Sequence, residues 1–156
     1  MISNKSFFNN SKVLPIDQFI ENVLYNKKVG YYSSKTPFGK KGDFLTAPGI
    51  SNLFSEIIGI WLISTWYTLD RPKNFNIVEL GPGDGSLTKI LLKIFQKFST
   101  FNQATNIFLY EKSNLLKKLK KKNINNLKVK WIKNFTSIKK GPVIFFGNEF
   151  FDAIPI

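Results

Sequence analysis

Residues 78–87, VELGPGDGSL, place three glycines at alternate positions immediately after an apolar stretch. The preceding residues 75–80 (FNIVEL) are typical of a short buried strand. The following residues 86–98 (SLTKILLKIFQKF) repeat apolar side chains at the three- and four-residue spacing of an amphipathic helix. A glycine loop between a strand and a helix lets a ligand approach the backbone and meet the positive end of the helix dipole. The stretch therefore predicts an α/β unit with a site for a nucleotide-like ligand.

The alternation of strand and helix continues towards the end of the chain. Two further strands are indicated at 106–111 (NIFLYE) and 127–132 (LKVKWI), and a fourth lies within 141–150 (GPVIFFGNEF). Ser113 is suited to cap a helix between the first two of these strands. Because apolar strands separated by helices indicate a parallel sheet covered on both faces, we expect a Rossmann-like α/β fold.

The residues before the glycine loop predict a helical region. Residues 15–26 (PIDQFIENVLYN) have the apolar spacing of an amphipathic helix that starts at Pro15. Residues 51–69 form a second predicted helix that is apolar on nearly all sides, so we expect it to be buried. These patterns divide the chain into an N-terminal helical region, residues 1–72, and the first half of a sheet domain, residues 73–156.

The sequence stops shortly after the fourth predicted strand. A doubly wound sheet usually continues through further strands, and a terminal fourth strand would present an unpaired apolar edge. We therefore expect a sheet truncated after this strand, whose edge would favour dimerisation.

Composition excludes several classes of protein. The 156 residues include no His and no Cys, so zinc sites of the usual kind and catalysis by Ser–His or Cys–His pairs are not expected. The net charge of +13 comes almost entirely from Lys, with Arg71 as the only arginine. Because specific recognition of phosphates and bases favours Arg, and because abundant Lys, Asn, Ile and Phe are typical of an AT-rich genome, nucleic acid is not the expected partner. The longest apolar stretch, residues 57–69, is too short to span a bilayer, and no secretory signal is visible, so the cytoplasm is the expected compartment.

The spacing of the glycines distinguishes among possible ligands. A phosphate-binding P-loop requires G-x-x-x-x-G-K followed by Ser or Thr, and the residues after Gly81 do not fit this pattern. The dinucleotide fingerprint places its third glycine where Ser86 stands, whereas this sequence has Gly81, Gly83 and Gly85 after Glu79. The pattern E-x-G-x-G-x-G resembles the first motif of class I S-adenosylmethionine (SAM) methyltransferases. In that interpretation the loop amides bind the methionyl carboxylate, and Glu79 accepts from the ammonium group or organises the loop. The glycines could also serve the turn alone.

Glu111 adds a second acid at the predicted site. It ends the second strand of the unit, where a carboxylate can accept hydrogen bonds from both ribose hydroxyls of a nucleoside. An NAD(P)-dependent oxidoreductase would use the same acid, and an isolated acid at a strand end is often only solvated. Glu111 therefore supports a nucleoside ligand without identifying it.

Three stretches together resemble the MidA-like family of SAM-dependent methyltransferases: GYY…PFGKKGDFLTAPGISNLFSEIIGIWL, VELGPGDGSLTKILL and NEFFDAIPI. The resemblance spans residues 19–156, and members of this family continue well beyond that length. It implies that SAM is the cofactor and that residues 42–48 lie over it. The implied cofactor residues are Asp43, Thr46, Gly81, Gly83, Gly85 and Glu111. Gly49 departs from the family pattern, which often has Glu at this position.

The resemblance also implies a reaction and an acceptor. The family includes a mitochondrial complex I assembly factor that acts as a protein arginine methyltransferase, so a complex I subunit in the mitochondrial matrix is the implied acceptor for a eukaryotic chain. Asn148, Glu149 and Asp152 are the candidate catalytic residues, because a planar, charged guanidinium needs carboxylates to orient it. The alternatives are a strand end whose polar residues face water, and a non-catalytic fragment or partner-binding module.

Overall fold

The computed structural model describes residues 13–34, 50–112, 124, 128–151 and 154. Its centre is a four-stranded sheet in the order β3-β2-β1-β4. The strands are β1 (Phe75–Leu80), β2 (Thr105–Tyr110), β3 (Val129–Ile132) and β4 (Val143–Phe146). Each pairs with its neighbours in parallel, and β1 lies between β2 and β4. The predicted Rossmann-like parallel sheet is confirmed.

Five helices and one 3-10 turn accompany the sheet within the described residues. They are α1 (Ile16–Tyr25), α2 (Tyr31–Ser34), α3 (Asn52–Thr68), α4 (Ser86–Phe95), α5 (Ser99–Ala104) and the turn at Phe135–Ser137. Helix α1 follows Pro15 as predicted. Helix α5 was not predicted, because it has only six residues and buries only two of them. The helix predicted after Ser113 lies outside the described residues.

The two faces of the sheet have different coverings. Phe75 and Ile77 point to one face, where they pack with buried residues of α3, α4 and α5 in the larger core. Val78 and Leu80 point to the other face and form a smaller cluster with Phe108 and Ile132. This alternation follows from the two-residue period of a strand and makes β1 buried along its whole length. Within the described residues, helices cover the first face, and the second is covered partly by Ile138 and Phe150.

Helix α3 differs from its prediction on one side. Leu62, Ile63 and Trp66 are buried as expected, and Gly59 allows close packing against α4, because a Cβ there would lie 2.8 Å from Ile94 Cδ1. The opposite side is exposed. Its large apolar side chains that expose half or more of their surface are Leu53, Ile57, Ile60, Trp61 and Tyr67. The expectation of complete burial was wrong, because apolar composition does not reveal whether a neighbouring element is present. No helix in the described ranges is both long and apolar enough to cross a membrane.

The larger core depends on an aromatic cluster around Phe101. The Phe101 ring is 1% exposed, and its centroid lies 4.8 Å from that of Phe95, 5.5 Å from that of Trp66 and 6.0 Å from that of Phe75. These are edge-on or tilted contacts, the favoured geometries for aromatic pairs. The short helix α5 is therefore tied to α3, α4 and β1 through one side chain.

Replacing Phe101 by Ala should reduce the free energy of unfolding by about 3–5 kcal/mol, because it leaves a cavity among these rings. Urea unfolding followed by circular dichroism measures the effect. Phe98→Ala is the matched control, since Phe98 is 37% exposed and should cost less than about 1 kcal/mol. Equal losses in the two variants would show that the cluster is not the centre of the core.

Candidate functional site

The glycine loop lies at the carboxyl end of β1 and begins α4. Gly81, Gly83 and Gly85 all have positive φ angles, of 59°, 51° and 82°. Gly81 donates its backbone N–H to the carbonyl oxygen of Tyr110 at the end of β2 (2.9 Å), and Ser86 donates its backbone N–H to Asp84 Oδ1 (2.9 Å). Because side-chain-bearing residues rarely adopt this conformation, the three glycines are required by the turn itself.

The surroundings of the three glycines differ. A Cβ on Gly81 would lie 2.6 Å from the Phe150 ring, and one on Gly85 would lie 2.5 Å from Ile124 Cδ1. A Cβ on Gly83 would meet no atom of the described residues within 4 Å. Gly81 and Gly85 therefore make room for the protein's own side chains, whereas none of the described side chains occupies the space at Gly83.

Glu79 lies beneath the loop and is 3% exposed. Its Oε2 accepts a hydrogen bond from the hydroxyl of Thr88, a fully buried residue in the first turn of α4. Glu79 and Thr88 bracket the loop, so this bond fixes the end of β1 to the start of α4. Of the two roles considered for Glu79, this geometry favours organising the loop, and a direct contact with a ligand ammonium group stays a prediction.

Glu111 is brought beside the glycine loop by the strand register. Leu80 pairs with Tyr110 in the parallel ladder, so the residues that follow them, Gly81 and Glu111, leave the sheet at the same level. Glu111 is partly exposed. A carboxylate in this position can reach a ligand that lies along Gly83, as expected for a ribose-binding acid.

The segment after β4 reaches the same edge of the sheet. Asn148 is partly exposed and Glu149 is exposed, and Glu149 has a positive φ of 51°, which is uncommon for a residue other than glycine. The structure thus brings Asn148 and Glu149 to the edge that holds the glycine loop and Glu111. The other predicted site residues, Asp43, Thr46 and Asp152, lie outside the described residues.

Sequence reasoning from the residues missed one group at this edge, the tyrosines of α1 and α2. Lys112, next to Glu111, forms an ion pair with Glu21 of α1 (2.7 Å), and its Nζ lies 4.4 Å from the centroid of the Tyr25 ring. Tyr25 in turn stacks on Tyr32, with ring centroids 5.6 Å apart. The available signal was the four-residue spacing of Glu21 and Tyr25, which places both on one face of α1.

The environment of Tyr25 reflects this packing. Burial raises the pKa of its hydroxyl from 10.0 to about 12, and the negative charges of Tyr32, Glu111 and Glu21 contribute in the same direction. The N-terminal helices therefore lie close enough to the end of β2 for the charge of Glu111 to raise the pKa of Tyr25.

Comparisons of this chain with known proteins agree on one family. Residues 57–156 match the family described as "Putative S-adenosyl-L-methionine-dependent methyltransferase". Three curated relatives are the mitochondrial protein arginine methyltransferase NDUFAF7 of Xenopus tropicalis (33% identical, 92% of this chain, 39% of the relative), its Drosophila melanogaster homolog (31%, 92% and 38%) and the Homo sapiens protein (29%, 92% and 38%). This chain thus spans less than two fifths of the length of these relatives.

A solved structure agrees with this assignment. The crystal structure of a Burkholderia thailandensis protein, described as a methyl transferase candidate and bound to S-adenosyl-homocysteine, is 26% identical to this chain. It superposes with a TM-score of 0.71 over 91% of this chain and 38% of its own. A native structure from the same organism has a TM-score of 0.68 at 24% identity and supports the fold.

Thr88→Val should reduce the free energy of unfolding by about 1–3 kcal/mol, because it leaves the buried Glu79 carboxylate without its hydroxyl donor while keeping the side-chain volume. Thr88→Ser keeps the donor and should lose much less. Urea unfolding of both variants measures the difference. If the two variants were equally stable, the bond would not be what joins the loop ends.

The raised pKa of Tyr25 predicts a pH-dependent contribution to stability. The folded chain holds this proton more tightly than the unfolded chain does, so the contribution is complete below pH 10 and is lost as the pH rises from 10 to about 12. The free energy of unfolding of the wild type should therefore fall relative to that of Tyr25→Phe as the pH rises from 10 to about 12. A difference that stayed constant from pH 9 to 12 would contradict the burial of this hydroxyl.

Proposed function

We propose that this chain, which belongs to the family of S-adenosyl-L-methionine-dependent methyltransferases, forms the cofactor-binding unit of a protein arginine methyltransferase. The observation that carries the proposal is that no described residue fills the space at Gly83, in a loop that leaves β1 at the level where Glu111 leaves β2. The curated relatives named as arginine methyltransferases support the choice of acceptor.

The chemistry of the loop fits the cofactor. The loop amides around Gly83 and the positive end of α4 suit the methionyl carboxylate, and Glu111 suits the two ribose hydroxyls. Glu79 contributes indirectly, by holding the loop to α4 through Thr88. No observation on the described residues favours the dinucleotide alternative over this one.

The cofactor, when bound, would supply an electrophilic methyl group on a sulfonium: an acceptor nitrogen would bond to that methyl carbon in line as the carbon–sulfur bond breaks, with S-adenosyl-homocysteine as the leaving group. The chain's own residues have to align the acceptor nitrogen with that methyl group and exclude water, which is the main requirement of such a transfer. Glu149 is exposed and near the glycine loop, so its carboxylate can accept hydrogen bonds from a guanidinium, and Asn148 adds an amide group at the same strand end. The proton released from the guanidinium nitrogen would pass to a carboxylate at this edge or to water. A complex I subunit as the acceptor stays a prediction.

Isothermal titration with S-adenosyl-homocysteine tests the cofactor. The wild-type chain should bind it, and Glu111→Gln should weaken binding by roughly tenfold or more, because a charged acceptor of ribose hydroxyls contributes about 1.5–3 kcal/mol. Glu56→Gln is the matched control, since Glu56 is an exposed acid on α3. This variant should bind as the wild type does.

Two results would count against the proposal. If the wild type did not bind S-adenosyl-homocysteine, the assignment of SAM as its cofactor would be wrong. Tighter binding of NADH than of S-adenosyl-homocysteine would favour the oxidoreductase alternative. If the labelled methyl group of SAM were transferred to a lysine-containing peptide library but not to its arginine-containing counterpart, the assignment of arginine as the acceptor would be wrong.

A further inference from the structure

We infer that Phe150 is a positioning residue that joins the glycine loop to the segment after β4 and so fixes the distance between the cofactor and the acceptor residues. The inference rests on the proposed function, because it assigns the two segments to cofactor and acceptor. The side chain of Phe150 has no polar group and therefore cannot form a hydrogen bond with a ligand.

Two glycines make room for this one side chain. A Cβ on Gly81 would lie 2.6 Å from Cδ2 of the Phe150 ring, and a Cβ on Gly147 would lie 2.9 Å from Phe150 Cβ. Gly81 belongs to the cofactor loop, and Gly147 follows β4. Since real Cβ atoms essentially never come so close to another heavy atom, a larger residue at either position would displace Phe150.

Phe150 also holds the strained backbone that precedes it. Glu149 adopts the left-handed conformation, with φ of 51°, although it is not glycine. Such strain persists only where the surrounding structure fixes it. The packing of Phe150 against the smaller core cluster, which includes Val78 and Leu80, supplies that support.

The contact connects the carboxyl ends of three strands. Gly81 donates its N–H to Tyr110 at the end of β2 and receives the Phe150 ring from beyond β4. The next residue after Tyr110 is Glu111, and the residue before Phe150 is Glu149. Gly81 and Phe150 therefore set how far the candidate ribose acid lies from the candidate acceptor acid.

A double-mutant cycle on unfolding tests the contact without any ligand. Gly81→Ala should destabilise the chain more than Gly83→Ala, because both positions have positive φ but only Gly81 faces the ring. In a Phe150→Ala background, the destabilisation caused by Gly81→Ala should fall to that caused by Gly83→Ala. The destabilisation caused by Gly83→Ala should not change. Strictly additive effects of Gly81→Ala and Phe150→Ala would overturn the inference.

Calorimetry with S-adenosyl-homocysteine tests the role. Phe150→Ala should weaken binding at least fivefold, and Phe150→Leu, which keeps apolar atoms over Gly81, should bind within about twofold of the wild type. Phe98→Ala is the matched control, because this ring is 37% exposed and belongs to neither the glycine loop nor the segment after β4, and it should leave binding unchanged.

The outcomes separate the two proposals. Wild-type binding with no loss in Phe150→Ala would overturn the positioning role and leave the proposed function in place. A loss in Phe150→Ala that Phe150→Leu failed to restore would also overturn it. Failure of the wild type to bind would overturn the proposed function, and with it the role of Phe150, even if the unfolding cycle showed coupling.

Discussion

The parallel pairing of β1 with β2 on one side and with β4 on the other is the constraint that brings the segments of this site together. The register places Leu80 opposite Tyr110 and Glu79 opposite Phe146, so three strands end at nearly the same level. The residues that follow are then free of the ladder but still held close together. A shift of the register would separate the glycine loop from both acids, since neither Glu111 nor Glu149 lies on the loop itself.

The loop itself is shaped by contacts beneath and beside it. Below it, the hydroxyl of Thr88 satisfies a buried carboxylate, so a polar group in the core costs less than it would alone. Beside it, the Phe150 ring and Ile124 occupy the space left by the absent side chains of Gly81 and Gly85. Of the three, Gly83 alone has no such neighbour within 4 Å among the residues that the structure describes. The three glycines of one motif thus have different surroundings, and Gly83 is the one that we propose for the ligand.

Local patterns predicted much of this arrangement from the sequence. The strands could be predicted because each is a short apolar run, and the turn because three glycines follow β1 at alternate positions. The contact of Phe150 with Gly81 could not, because it joins residues far apart in the chain through packing alone. The contacts of Lys112 with Glu21 and Tyr25 could not be predicted for the same reason, and α5 is too short to show a period. The helix predicted after Ser113 and the residues Asp43, Thr46 and Asp152 stay predictions.

The exposed side of α3 has a consequence for how molecules of this protein behave towards each other. Residues 51–70 contain no Lys or Arg, although the chain carries a net charge of +13. At low ionic strength the lysines elsewhere keep molecules apart, whereas at physiological ionic strength the field is screened within about 8 Å. What then remains between two approaching molecules is the attraction of an apolar ridge that includes Leu53, Ile57 and Trp61. We therefore expect added salt to promote association of molecules of this chain through the exposed side of α3.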